Sequence, residues 1–128
     1  MGSLSVDKAG IGSAVNDTTR ELGGTLGVAV VGSVFTSVYV SRLADGPVFS
    51  ALPVDAQSVT KDSVAAAGRV APELGARAGQ YLAEVSDAFL AGLAVSCVVV
   101  AAVAIAGSLF ALRFLPARVA ETPAADLA

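Results

Sequence analysis

An uncharged run from Ala88 to Leu112, closed by Asp87 on one side and Arg113 on the other, limits this chain more than any other feature. A bilayer core about 30 Å thick is crossed by roughly 20 apolar residues of α-helix, each rising about 1.5 Å. The run is long enough for that. A helix that must meet water on one face carries polar residues there, and this one has no such face. The segment belongs in a membrane.

Composition agrees. Of the 128 residues 55% are hydrophobic and only 15% are charged, where soluble domains carry about 25% charge. A membrane chain this short has material for two spans. The net charge of −3 is spread along the sequence, so no basic patch offers itself to a nucleic acid. There is no histidine, which removes Cys/His metal sites and every nucleophile that relies on an imidazole base. No Gly-Lys-Ser/Thr follows the glycines, so they are not a phosphate loop. Cys97, the one cysteine, lies inside the apolar run and reads as a small packing residue. Neither an enzyme nor a cofactor is expected.

A second uncharged run fills the space between Glu21 and Arg42, and its character differs. It holds Gly23, Gly24, Gly27 and Gly32, together with Thr25, Ser33, Thr36, Ser37 and Ser41. In water each glycine inside a helix costs about 1 kcal/mol relative to alanine. In lipid, small residues let helices approach closely. This span therefore reads as a helix packed inside a bundle, with Gly23 and Gly27 spaced as a close-packing pair. No proline separates it from Ala9, so the helix is expected to start there. Asn16, Arg20, Gly24 and Gly27 then share one stripe. Asn16, Asp17 and Arg20 have two readings: headgroup-zone anchors, or polar groups that face the bundle interior.

In the second span Ala88, Gly92, Ser96, Val100, Ala104 and Ser108 recur every four residues, which makes a seam for helix packing centred on Gly92 and Ser96. Leu90, Leu93, Val98, Val99 and Ile105 suit lipid on the other side. Between the spans, Gly46-Pro47 and Pro53 signal turns. Ala56 to Val70 and Glu73 to Asp87 read as helices separated by Pro72 and Gly75. Their apolar positions fit a helical hairpin packed on the membrane helices; a gate over a substrate path is the other reading.

The expected organisation is a polar cytoplasmic loop over 1–8, a transmembrane helix over 9–42, an external connector with short helices over 43–86, a second transmembrane helix over 87–115 and a disordered cytoplasmic tail over 116–128. The fold class is an all-α membrane protein. Lys8 and Arg20 before the first span, and Arg113 and Arg118 after the second, favour both termini inside. Arg42 works against that bias. The first residues lack the basic start and apolar core of a signal peptide.

The stretch from Lys8 to Tyr39 resembles the penultimate helix of the 14-helix drug:proton antiporters of the major facilitator superfamily, the group of QacA-like and EmrB-like exporters. The resemblance is carried by Gly12, Ser13, Ala14, Asn16, Arg20, Gly23, Gly24, Gly27, Ala29 and Gly32. It extends to an external connector of similar length and to a last span that opens at Asp87-Ala88-Phe89 and closes at Leu115-Pro116. The family's cytoplasmic signature loop, its drug-recognising acidic residues and its proline-glycine antiporter motif are not in this sequence. The resemblance thus implies a partial major facilitator fold, the C-terminal fragment of a multi-pass cell-membrane transporter, with three readings of Met1: an internal methionine taken as a start, a broken gene, or a partial sequence. It implies as partners the lipid bilayer and the remaining helices of the parent. Small hydrophobic or cationic drugs and the proton gradient would enter only through that parent. The alternative from a different class is an independent two-span hairpin that homo-oligomerises, as an interaction protein or a small pore.

Overall fold

The computed structural model describes residues 9–114. The expected loop over 1–8 and the tail over 116–128 lie outside the described residues. Among those described, every regular element is helical and there is no strand. The order is α1 (Ala9–Ala44), α2 (Pro47–Ser50), α3 (Val54–Asp62), α4 (Val64–Val70), a 3₁₀ segment (Ala71–Arg77) and α5 (Ala78–Phe114).

α1 runs without interruption because nothing between Ala9 and Ala44 breaks it. It ends where Pro47 forbids its continuation and biases the preceding residue away from the helical region. Gly46 is accordingly extended, at φ −74° and ψ 122°. The last turn closes with Asp45 N–H bonded to the Arg42 carbonyl at 3.3 Å and Gly46 N–H to the Leu43 carbonyl at 3.0 Å. Pro47 then occupies the first position of α2, where its missing N–H costs nothing.

The connector differs from the sequence expectation at two points. The helix expected from Ala56 to Val70 is broken at Ser63, whose extended backbone (φ −154°, ψ 122°) separates α3 from α4. The helix expected from Glu73 to Asp87 is not a separate element. Its first part lies in the 3₁₀ segment, and the rest is the start of α5. No proline or glycine pair lies between Ala78 and Asp87 to stop the helix, so it continues into the apolar run. The chain reverses at Gly75, which has φ 53° and ψ −121°. A side chain is strained in that region and glycine is not.

Two compact units are distinguished. The first joins α1 up to Gly27 with α5 from Val103. Its apolar side chains are largely exposed, among them Leu22, Leu26, Ile105 and Leu109. Its hydroxyls look after themselves: Thr18, Thr19 and Thr25 donate to the carbonyls of Ala14, Val15 and Glu21 at 2.8–2.9 Å, and Ser108 donates to that of Ala104 at 2.8 Å. This bonding to the preceding turn hides polar groups that the residue names alone would count against a membrane span.

The second unit covers residues 28–102 and holds the core. Tyr39 and Leu43 of α1, Val48 and Phe49 of α2, Leu52, Ala67, Val70 and Ala71 of the connector, and Tyr81, Val85 and Ala88 of α5 form one buried cluster. The connector is thus packed down on the helix pair. Along these helices Val70, Tyr81 and Val85 are buried, while Leu82 stays outside.

Gly75→Ala tests the reversal. Strain there is expected to destabilise the connector by about 1–3 kcal/mol. Limited trypsin digestion at the exposed Arg69 and Arg77 should become faster, and an unchanged digestion rate would show that the turn accepts a side chain.

Candidate functional site

Phe35 of α1 and Gly92 of α5 are in close contact in the unit of residues 28–102. A Cβ on Gly92 would stand 3.0 and 3.1 Å from the Phe35 ring and 3.1 Å from the Phe35 carbonyl oxygen. Only hydrogen fits. Phe35 also stacks on Tyr39, with ring centres 5.8 Å apart, and meets Phe89 edge-on at 5.4 Å. These contacts run antiparallel, since residue 35 faces 89 and 92 while residue 39 reaches the region of residue 81. One turn further along α5, Ser96 is buried, at 3% exposure, and its hydroxyl has no partner.

Toward the connector, the interface becomes polar in a controlled way. Tyr39 Oη donates to the Thr60 carbonyl at 2.8 Å. Thr60 Oγ1 donates to the Ala56 carbonyl at 2.8 Å. A hydroxyl has one proton, so the remaining contact, 2.6 Å between Thr60 Oγ1 and Tyr81 Oη, has Tyr81 as donor. Both tyrosines, one from each long helix, donate to the same residue of α3. Thr60 and Tyr81 are fully buried and Tyr39 nearly so.

Glu84 makes a second tie. Its carboxylate accepts from Val48 N–H at 3.2 Å and from Phe49 N–H at 3.0 Å, which satisfies two free amides at the start of α2. Gln80 Nε2 adds a longer bond of 3.4 Å. The carboxylate lies so close to Gly46 that a Cβ there would come within 2.5 Å of Oε2. Beside it lies an open cleft of about 290 Å³, bordered by Arg42, Asp45, Glu84 and Asp87. Among the described residues no group of three or more His, Cys, Asp or Glu side chains is placed to hold a metal. The chemistry of this arrangement is hydrogen bonding and packing.

The residues singled out in the sequence fall into two sets. Gly92 and Ser96 are buried against the neighbouring helix, together with Ala88. The same seam beyond Ser96 is exposed: Val100 is 49% accessible, and Ala104 and Ser108 are open. Gly23, Gly24, Gly27 and Gly32 meet nothing, since a Cβ on any of them would have no neighbour within 4 Å among the described residues. Asn16, Asp17 and Arg20 are all exposed. Phe35, Tyr39, Thr60 and Glu84 were not anticipated. The tyrosines carried one signal: the chain has only two, and both flank the connector.

The two long helices, α1 and α5, contain segments long and apolar enough to cross a membrane. Little of either apolar segment is buried, unlike the central helix of a soluble protein. These features define a helical chain of membrane character. No protein-family model matches it, and no solved structure does. It is 33% identical over 109 residues to the multidrug efflux pump LfrA of Mycolicibacterium smegmatis. The match takes in 84% of this chain and 21% of LfrA, so the chain spans about a fifth of the length of that relative. The similarity supports a relationship to drug-efflux transporters. Together with the two apolar helices it points to a membrane location.

The two sets of glycines should respond differently to substitution. Gly92→Leu is expected to destabilise the chain by about 1–3 kcal/mol through overpacking. Gly27→Leu should leave its thermal unfolding in lipid nanodiscs unchanged or slightly improved. Equal losses would mean that the Phe35 contact is not a determinant of the helix pairing.

Proposed function

We propose that the chain is the C-terminal helix pair of a proton-coupled multidrug exporter of the major facilitator superfamily. It contributes helix packing to that transporter, not a complete transport site. The observation that carries the reading is the match to LfrA, which runs along most of this chain and along only a fifth of the pump. The glycine-bearing face of α1 supports it, since a face without side chains at Gly23, Gly24, Gly27 and Gly32 suits a neighbouring helix at short range.

Two spans cannot supply two halves that rock around a central site. Neither apolar run contains an acidic residue, from Leu22 to Ser41 or from Ala88 to Leu112. A proton-carrying carboxylate at membrane depth therefore belongs to other helices of the parent, and so do the groups that recognise hydrophobic or cationic drugs. In this reading both helices cross the cell membrane with both termini in the cytoplasm, the connector lies outside, and Asn16 and Arg20 fix the cytoplasmic end of α1.

The test is the size of the native product. An antibody to residues 118–128 should detect a band several-fold heavier than 12.6 kDa in source membranes. A band near 12.6 kDa would sink the proposal and favour a free-standing hairpin that assembles with copies of itself. In the full-length protein, Gly27→Leu is expected to abolish export by forcing helices apart, and Arg20→Ala to impair it more than Arg42→Ala. Normal drug resistance with Gly27→Leu would refute the packing role, and equal effects of the two arginine variants would reduce Arg20 to an anchor.

A further inference from the structure

The connector has two ways of acting on the helix pair: as a lid that lifts, or as a clamp that stays. The hydrogen bonds decide between them. Lifting α3 would break the bond from Tyr39 to the Thr60 carbonyl and the bond from Tyr81 to the Thr60 hydroxyl. Lifting α2 would strip the Glu84 carboxylate from the Val48 and Phe49 amides. The α2–α3 turn is itself tied by Gln57 Nε2 to the Leu52 carbonyl at 2.9 Å, which couples the two motions. Each broken bond would leave a phenol, an amide or a carboxylate without its partner beside apolar side chains, where replacement by solvent is poorest. Phe49, fully buried, would also have to leave the core.

We infer that the Tyr39–Thr60–Tyr81 bonds form a latch that fixes the connector ends of α1 and α5 to one another, so that residues 28–102 move as a single body and no passage opens between the two helices there. The convergence of both donors on one residue is what makes it a latch. Thr60 offers its carbonyl to one helix and its hydroxyl to the other, so the loss of either bond loosens the residue that holds the second. The inference about motion stands on this chain alone. Its consequence for transport, that any substrate route runs outside this pair, rests on the function proposed above.

The latch is tested by spin-label distance measurement on the full chain in lipid nanodiscs, with Cys97→Ala to remove the exposed native thiol and labels on Ser41→Cys and Ala83→Cys, both exposed positions. The expected result is one narrow distance distribution in the otherwise unaltered chain, at least doubled in width by Tyr39→Phe with Tyr81→Phe. Two separated distances in the otherwise unaltered chain, or an unchanged width in the double variant, would overturn the latch. Where the double variant loses its helical circular dichroism, Thr60→Val carries the same test. It keeps the side-chain volume and the Tyr39 bond and removes the Tyr81 acceptor, so it must broaden the distribution, and no broadening refutes the inference. Because nothing is transported in this measurement, its outcome is independent of the size of the native product.

Discussion

A close approach that favours glycine at residue 92 sets the geometry of the helix pair. With Gly92 against the Phe35 ring and carbonyl, the facing positions follow at helical spacing, Phe35, Tyr39 and Leu43 on α1 and Gly92, Ala88, Val85 and Tyr81 on α5. The side chains grow from hydrogen to methyl to isopropyl to phenol along α5 toward the connector. Space between the helices is filled by their own small residues at the crossing and by larger ones beyond it. Only at that spacing can one threonine of α3 accept from tyrosines on both helices. The latch thus depends on a glycine three turns away.

The polar groups show how a chain with such apolar helices avoids unpaired donors. In the long helices, the hydroxyls of Thr18, Thr19, Thr25 and Ser108 turn back on the preceding carbonyls, which requires no neighbour. In the connector, where the helices have ended and local partners are short, the bonds become long-range: Tyr39 and Tyr81 reach Thr60, and Glu84 reaches the start of α2. Among the buried side chains of the described residues, Ser96 has its hydroxyl without a partner. An unmade bond of that kind costs about 1–3 kcal/mol when the group is fully desolvated, and nothing in the structure explains why alanine does not occupy the position.

What was legible in the sequence is the part governed by local chemistry. The run from Ala88 to Leu112 declares a membrane-length helix by composition alone. Pro47, Pro72 and Gly75 mark breaks because their backbones permit little else, and the four-residue spacing of Ala88, Gly92 and Ser96 marks a packed face. The break at Ser63 was not legible, because serine is compatible with a helix and only packing of α4 against its neighbours decides the matter. The start of α5 at Ala78 was hidden for the opposite reason: a charged residue, Asp87, looks like a boundary but costs an exposed helix little. Thr60 and Glu84 could not be picked out among similar residues, since their importance comes from what the fold brings to them.

The two groups of glycines make different physical statements. A glycine in a helix interior carries an entropic cost, and at Gly92 that cost is offset by a close contact with Phe35 that a side chain would crowd. At Gly23, Gly24, Gly27 and Gly32 no such contact exists among the described residues. A lipid-facing surface gains nothing from glycine, because lipid chains adapt to leucine or alanine as readily. In the function proposed above, the offset for the α1 glycines is close packing against further helices. The free-standing hairpin would bring those neighbours from further copies of this chain, whereas the proposed transporter brings them from its own remaining helices.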